Sequence, residues 1–117
     1  MKILVVGDGH SKLHEVAVSN AFYKLGYQVK TFYWYKYFQS SNIIKKIYYL
    51  FQNKFIIGHL ITKINRDFLK KAIIFDPDMI FIYRGTHIST HSLVNLKSKI
   101  SKCKIIGYNN DDPFSND

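Results

Sequence analysis

KILVVGDGHSK, Lys2 to Lys12, is the stretch that decides the fold. Ile3–Val6 is apolar with no polar interruption, and half of it is valine. A strand buried on only one face would alternate apolar with polar, so this run reads as a strand covered on both faces, the signature of a parallel sheet. It stops at Gly7. Helical spacing then takes over, with Leu13, Val16, Ala17, Ala21 and Leu25 predicted on one inward stripe. Glu15 stands in the first turn and Gly26 just past the last.

The alternation continues along the chain. Tyr27–Tyr33 is a second strand, with Val29, Thr31 and Tyr33 on one face. Ser40, Ser41 or Asn42 can cap a short helix carrying Ile43, Ile44, Ile47 and Leu50. A longer helix follows, with Ile57, Leu60, Ile61, Ile64, Phe68, Ala72 and Phe75 as its stripe. Asp76-Pro77 ends it, because proline disfavours a helical residue before it. Met79–Tyr83 is a third strand. Ser89 or Thr90 can cap a helix bearing Leu93, Leu96 and Ile100, and Lys104–Tyr108 is a fourth strand. Strand and helix repeated at this spacing predict one α/β domain over residues 1–117. It is a doubly wound, Rossmann-like parallel sheet of about four strands in the order 2-1-3-4, with helices on both faces.

In such sheets ligands bind beyond the carboxyl ends of the strands, at the point where the strand order reverses. Three loops are predicted to share that rim: Gly7–Lys12, Arg84–Thr90 and Asn109–Phe114. They carry most of the reactive side chains. His10, His87 and Asp111 are candidate catalytic groups. Asp8, Gly9, Arg84, Gly85 and Asp112 are candidates for holding substrate. A guanidinium at Arg84 can fork onto a carboxylate or phosphate, or pair with Asp111 or Asp112. His87 can serve as a general base or simply as a loop residue. Consecutive residues of an extended chain point opposite ways, so Asp111 and Asp112 are not a shared metal chelate. The Asn109–Phe114 loop carries no D-x-D signature, and no metal is expected.

Composition narrows the classes further. Aromatic residues make up 16% of the chain and hydrophobic residues 47%, a composition that folds. No apolar run approaches the roughly 20 residues of a membrane span. The amino-terminal run is too short for a secretory signal, so a cytoplasmic location is expected. Cys103 is the lone cysteine, which excludes a disulfide framework. The dinucleotide fingerprint is incomplete: Gly7 and Gly9 fit, but Lys12 occupies the third glycine's place, and no acid ends the second strand. A phosphorelay receiver needs an aspartate after the third strand, where this chain has Arg84.

The net charge is +9, and between Gly9 and Arg66 a single acid, Glu15, faces nine Lys and Arg. An AT-rich coding bias gives such a composition. So does selection for an anionic partner, and the basic, apolar stretch Ile43–Arg66 suits the surface of an anionic membrane as well as packing inside a domain. Nucleic acid is not the expected partner. The aromatic cluster Phe32–Phe38 can stack on a sugar or cover the sheet edge.

Four segments together resemble one family: MKILVVGDG, FYKLGYQVKTFYW, FDPDMIFIYRGTHIS and IIGYNNDDPFS. The chain resembles the amino-terminal domain of CgeB-like (spore maturation protein CgeB-like) bacterial glycosyltransferases. Pro77–Thr86 and Gly107–Phe114 are the most specific parts. The resemblance implies a GT-B architecture, with this domain on the acceptor side and a second, nucleotide-sugar-binding domain outside the sequence. It also implies transfer without a metal or other cofactor, a nucleotide-sugar and a glycan acceptor as partners, and a place in polysaccharide biosynthesis. A fragment of this kind is expected to be inactive alone. The alternative from another class is a non-catalytic, flavodoxin-like binding or regulatory module.

Overall fold

Ile3, Leu4, Val5 and Val6 are all fully buried, which only a central strand covered on both faces achieves. In the computed structural model, which describes residues 1–9, 14–83 and 85–108, they lie in β1 (Lys2–Gly7). This strand pairs in parallel with β2 (Gln28–Tyr33) on one side and β3 (Met79–Tyr83) on the other. β4 (Lys104–Tyr108) pairs in parallel with β3. The order is β2-β1-β3-β4, as the alternating pattern predicts. Leu4 stands opposite Lys30 and Ile80, and Val6 opposite Phe32 and Ile82.

The pleat sends alternate residues to opposite faces. Leu4, Val6, Phe32, Ile80 and Ile82 join the main core with α3 (His59–Phe75) and α4 (Thr90–Lys99). α3 contributes Leu60, Ile64, Phe68, Ala72 and Phe75, all buried as its spacing predicts. It stops at Asp76, which takes a left-handed conformation just before Pro77. The cap of α4 is Ser89, whose hydroxyl accepts from Ser92 N at 3.1 Å.

α1 (Glu15–Lys24) covers the other face over β1 and β2, so the sheet is wound on both sides. Its roll differs from the predicted one. Ala17, Ala21 and Leu25 are exposed, while Glu15 is buried and Phe22 packs edge-on to Phe81. The cause is polar: the Glu15 carboxylate accepts from Gly9 N, and that bond turns the helix. α1 ends in a Schellman turn. Gly26 N donates to Tyr23 O and Tyr27 N to Phe22 O, with the Phe22 and Tyr27 rings 6.3 Å apart.

α2 (Ile43–Phe55) is capped by Asn42, whose side chain accepts from Ile44 N and Lys45 N. Its Ile43, Ile44, Ile47 and Leu50 are exposed, so packing of this stripe inside the domain is overturned. Among the described residues no helix is long and apolar enough to cross a membrane.

Candidate functional site

The carboxyl end of β1 is held by hydrogen bonds that outlast the strand. Trp34 N donates to Gly7 O at 3.1 Å and Tyr35 N to Asp8 O at 2.9 Å. Asp8 and Tyr35 therefore leave the sheet side by side. Gly9 follows with φ +84, and a Cβ on it would sit 2.4 Å from Tyr33 Cβ. Only glycine fits that approach. Beneath this turn lies the buried Glu15. Its side chain also crowds Gly7, where a Cβ would come within 3.1 Å of Glu15 Cγ. Burial raises the pKa of the Tyr33 phenol; the Ser19 hydroxyl opposes the shift and the nearby Glu15 charge adds to it.

β2 runs into a short 3-10 helix (Tyr35–Phe38). The aromatics of this region alternate in role. Phe32, Trp34 and Phe38 are buried in the core. The Tyr37 hydroxyl donates to Asp67 Oδ2 at 2.8 Å, and Tyr35 lines a cleft. That cleft has a volume of about 760 Å³, and its walls include Asp8, Tyr35, Ser40, Ser41, Lys46 and Asn53. One wall is the rim of β1 and β2; the other is the inner side of α2.

His87 anchors that inner side. It is buried, stacked on Trp34 with ring centroids 5.0 Å apart, and edge-on to Phe38. Its Nε2 meets Asn53 Oδ1 at 2.7 Å and its Nδ1 meets the Thr86 hydroxyl at 3.0 Å. An amide oxygen only accepts, so this pairing assigns the proton to Nε2 and leaves Nδ1 to accept from Thr86. Burial lowers the His87 pKa, which favours the same neutral ring. Asn65 of α3 locks the loop from behind: its amide donates to His87 O at 2.9 Å, and its Oδ1 accepts from Ser89 N at 2.7 Å.

Of the candidates named from sequence, Asp8 lies on the cleft and Gly9 shapes the turn beside it. His87 lies under the cleft wall with both ring nitrogens engaged, so in this arrangement it positions Asn53. Gly85 is exposed on the loop after β3, where its backbone carbonyl accepts from Ile88 N at 3.2 Å. His10, Arg84, Asp111 and Asp112 lie outside the described residues. The cleft lies over the ends of β1 and β2; most of the loop residues expected to line a crevice between β1 and β3 lie outside the described residues. Among the described residues no group of three or more His, Cys, Asp or Glu could hold a metal ion.

Sequence reasoning missed Glu15, Lys46 and Asn53 as site residues, and reached Tyr35 only as part of the aromatic cluster Phe32–Phe38. Glu15 was legible only as a first-turn acid. Gln52-Asn53 is a polar pair on the side of α2 away from Ile43 and Ile47, a side that amphipathic convention sends to solvent. No protein-family model matches the chain, and no curated protein or solved structure shows significant similarity to it.

Proposed function

We propose that this chain is the acceptor-side domain of a bacterial, CgeB-like glycosyltransferase that moves a sugar from a nucleotide-sugar to a glycan hydroxyl, and that it works in the cytoplasm. The observation that carries the reading is the cleft at the carboxyl rim of β1 and β2. It combines the Asp8 carboxylate, the Tyr35 ring and the polar groups of Ser40, Ser41 and Asn53. Saccharides are recognised by that mixture: a ring face against C–H groups and a few converging polar side chains for hydroxyls. The parallel, doubly wound sheet supports the same reading.

In the proposed reaction the acceptor hydroxyl oxygen bonds to the anomeric carbon as the bond to the nucleoside diphosphate breaks. The hydroxyl proton passes to a base, for which His10 and Asp111 are the candidates. Asp8 and Asn53 hold the acceptor, with Asn53 oriented by His87. Arg84, Gly85 and Asp112 are the further candidates for holding substrate. The donor nucleotide is bound chiefly by a second domain, and no cofactor takes part.

Calorimetry with bacterial surface oligosaccharides tests the acceptor role on this chain. Asp8→Asn removes a charge-assisted hydrogen bond of about 1.5–3 kcal/mol, which is a loss of about tenfold or more in affinity. Tyr35→Ala is expected to weaken binding by a similar factor. Absence of binding to any saccharide or nucleotide-sugar would refute the proposal.

A further inference from the structure

α2 is an amphipathic helix mounted with its polar side inward. Gln52 is buried, and Tyr49 and Asn53 are half-buried against the body. Outward stand Ile43, Ile47, Phe51 and Phe55 at four-residue steps, with Ile44 and Tyr48 beside them. Ile44 is 76% exposed, Ile47 65% and Phe51 53%. The ridge continues past the helix into Ile56 and Ile57, also exposed. Contiguous apolar surface of this kind marks an interaction site.

Two polar pegs hold the helix in that roll. Gln52 Oε1 accepts from Leu60 N at 2.9 Å, and so takes the place of a cap on α3. Asn53 Oδ1 accepts from His87. Rolling the ridge inward would break both bonds and leave buried partners unsatisfied.

The surroundings of the ridge are basic. Residues 16–66 contain no Asp or Glu. Lys45 and Lys54 on α2 and Lys63 on α3 are exposed, while Lys46 lines the cleft and Arg66 ion-pairs with Asp67 at 3.7 Å. A second copy docking ridge to ridge would bring these like charges together. An anionic bilayer complements them, and a single convex helix face inserts into a headgroup layer without needing a matching groove.

We infer that α2 is an interfacial helix that docks the domain on anionic lipid, with Ile44, Ile47, Phe51 and Phe55 in the acyl boundary and Lys45 and Lys54 at the headgroups. Because α2 is also a wall of the cleft, docking places the cleft beside the bilayer. The inference stands apart from the saccharide reading, since vesicles without sugar test it.

The test is co-sedimentation of the 117-residue chain with vesicles of phosphatidylcholine, alone or mixed with phosphatidylglycerol. The expected result is binding to the mixed vesicles only, weakened by added salt. Lys45→Gln and Lys54→Gln should each lower partitioning about fivefold. Ile47→Ser with Phe51→Ser should reduce it to background, with an unchanged far-ultraviolet circular dichroism spectrum because both side chains are solvent-exposed. Equal binding to both vesicle types, binding insensitive to the α2 variants, or no binding would each overturn the inference. So would a dimer in sedimentation velocity that Phe51→Ser dissolves, since a second copy would then own the ridge.

Discussion

Gly9 and Gly26 share one backbone conformation and differ in everything around it, which makes them a matched pair. Their φ angles are +84 and +90. A Cβ on Gly26 would meet nothing within 4 Å, whereas one on Gly9 would lie 2.4 Å from Tyr33 Cβ and 2.5 Å from its Cγ. Alanine at either site carries the left-handed penalty of about 1–2 kcal/mol. Gly26→Ala should cost little else. Gly9→Ala must also relieve a contact well inside the usual separation of about 3.5–4 Å. Tyr33 Cβ is attached to the β2 backbone, so rotating the ring does not clear it. The turn has to retreat, and Gly9 N leaves the buried Glu15 carboxylate, a hydrogen bond worth about 1.5–3 kcal/mol. The total for Gly9→Ala is about 2.5–5 kcal/mol, some 1.5–3 more than for Gly26→Ala. Urea unfolding followed by fluorescence of the buried Trp34 measures the difference, provided the m-value is unchanged. Glu15→Gln on the Gly9→Ala background should cost less than on the wild type, because the bond is already lost. Equal losses for the two glycine variants would refute the account of the turn.

Two further outcomes follow from the pegs of α2. Gln52→Ala removes the acceptor for Leu60 N and should destabilise the domain by about 1–2 kcal/mol, with faster amide hydrogen exchange confined first to the opening turn of α3. His87 has a pKa lowered by burial, so on acidification the unfolded chain takes up a proton near pH ~6.5 while the folded ring is still neutral. Its contribution to stability is therefore intact above that pH and is lost as pH falls toward the folded value. His87→Gln should lower stability throughout and flatten the decline in urea midpoint between neutral and mildly acidic pH; an unchanged slope would contradict the buried neutral ring.

The strand runs, the alternation, the strand order, the stop at Asp76-Pro77 and the stripe of α3 are all legible in the sequence. Each rests on a local property: unbroken β-branched runs, a helical period, a residue barred from helix before proline. Cleft residue Asp8 was legible too, because ligand sites in this fold lie where β1 ends. The roll of α1 and α2 was not. Periodicity defines an apolar stripe but does not say which way it faces when a polar group on the other side finds a buried partner. Glu15 found Gly9 six residues away, Gln52 found Leu60 eight away, and Asn53 found His87 thirty-four away. Orphaning a buried polar group costs about 1–3 kcal/mol and exposing an isoleucine about 1.5–3, so the roll is a balance of comparable terms that a local period does not encode. The outward face of α2 and the wall of the cleft were decided only by the tertiary structure, because the hydrogen-bond partners of Gln52 and Asn53 are brought to them by the fold and not by any local period.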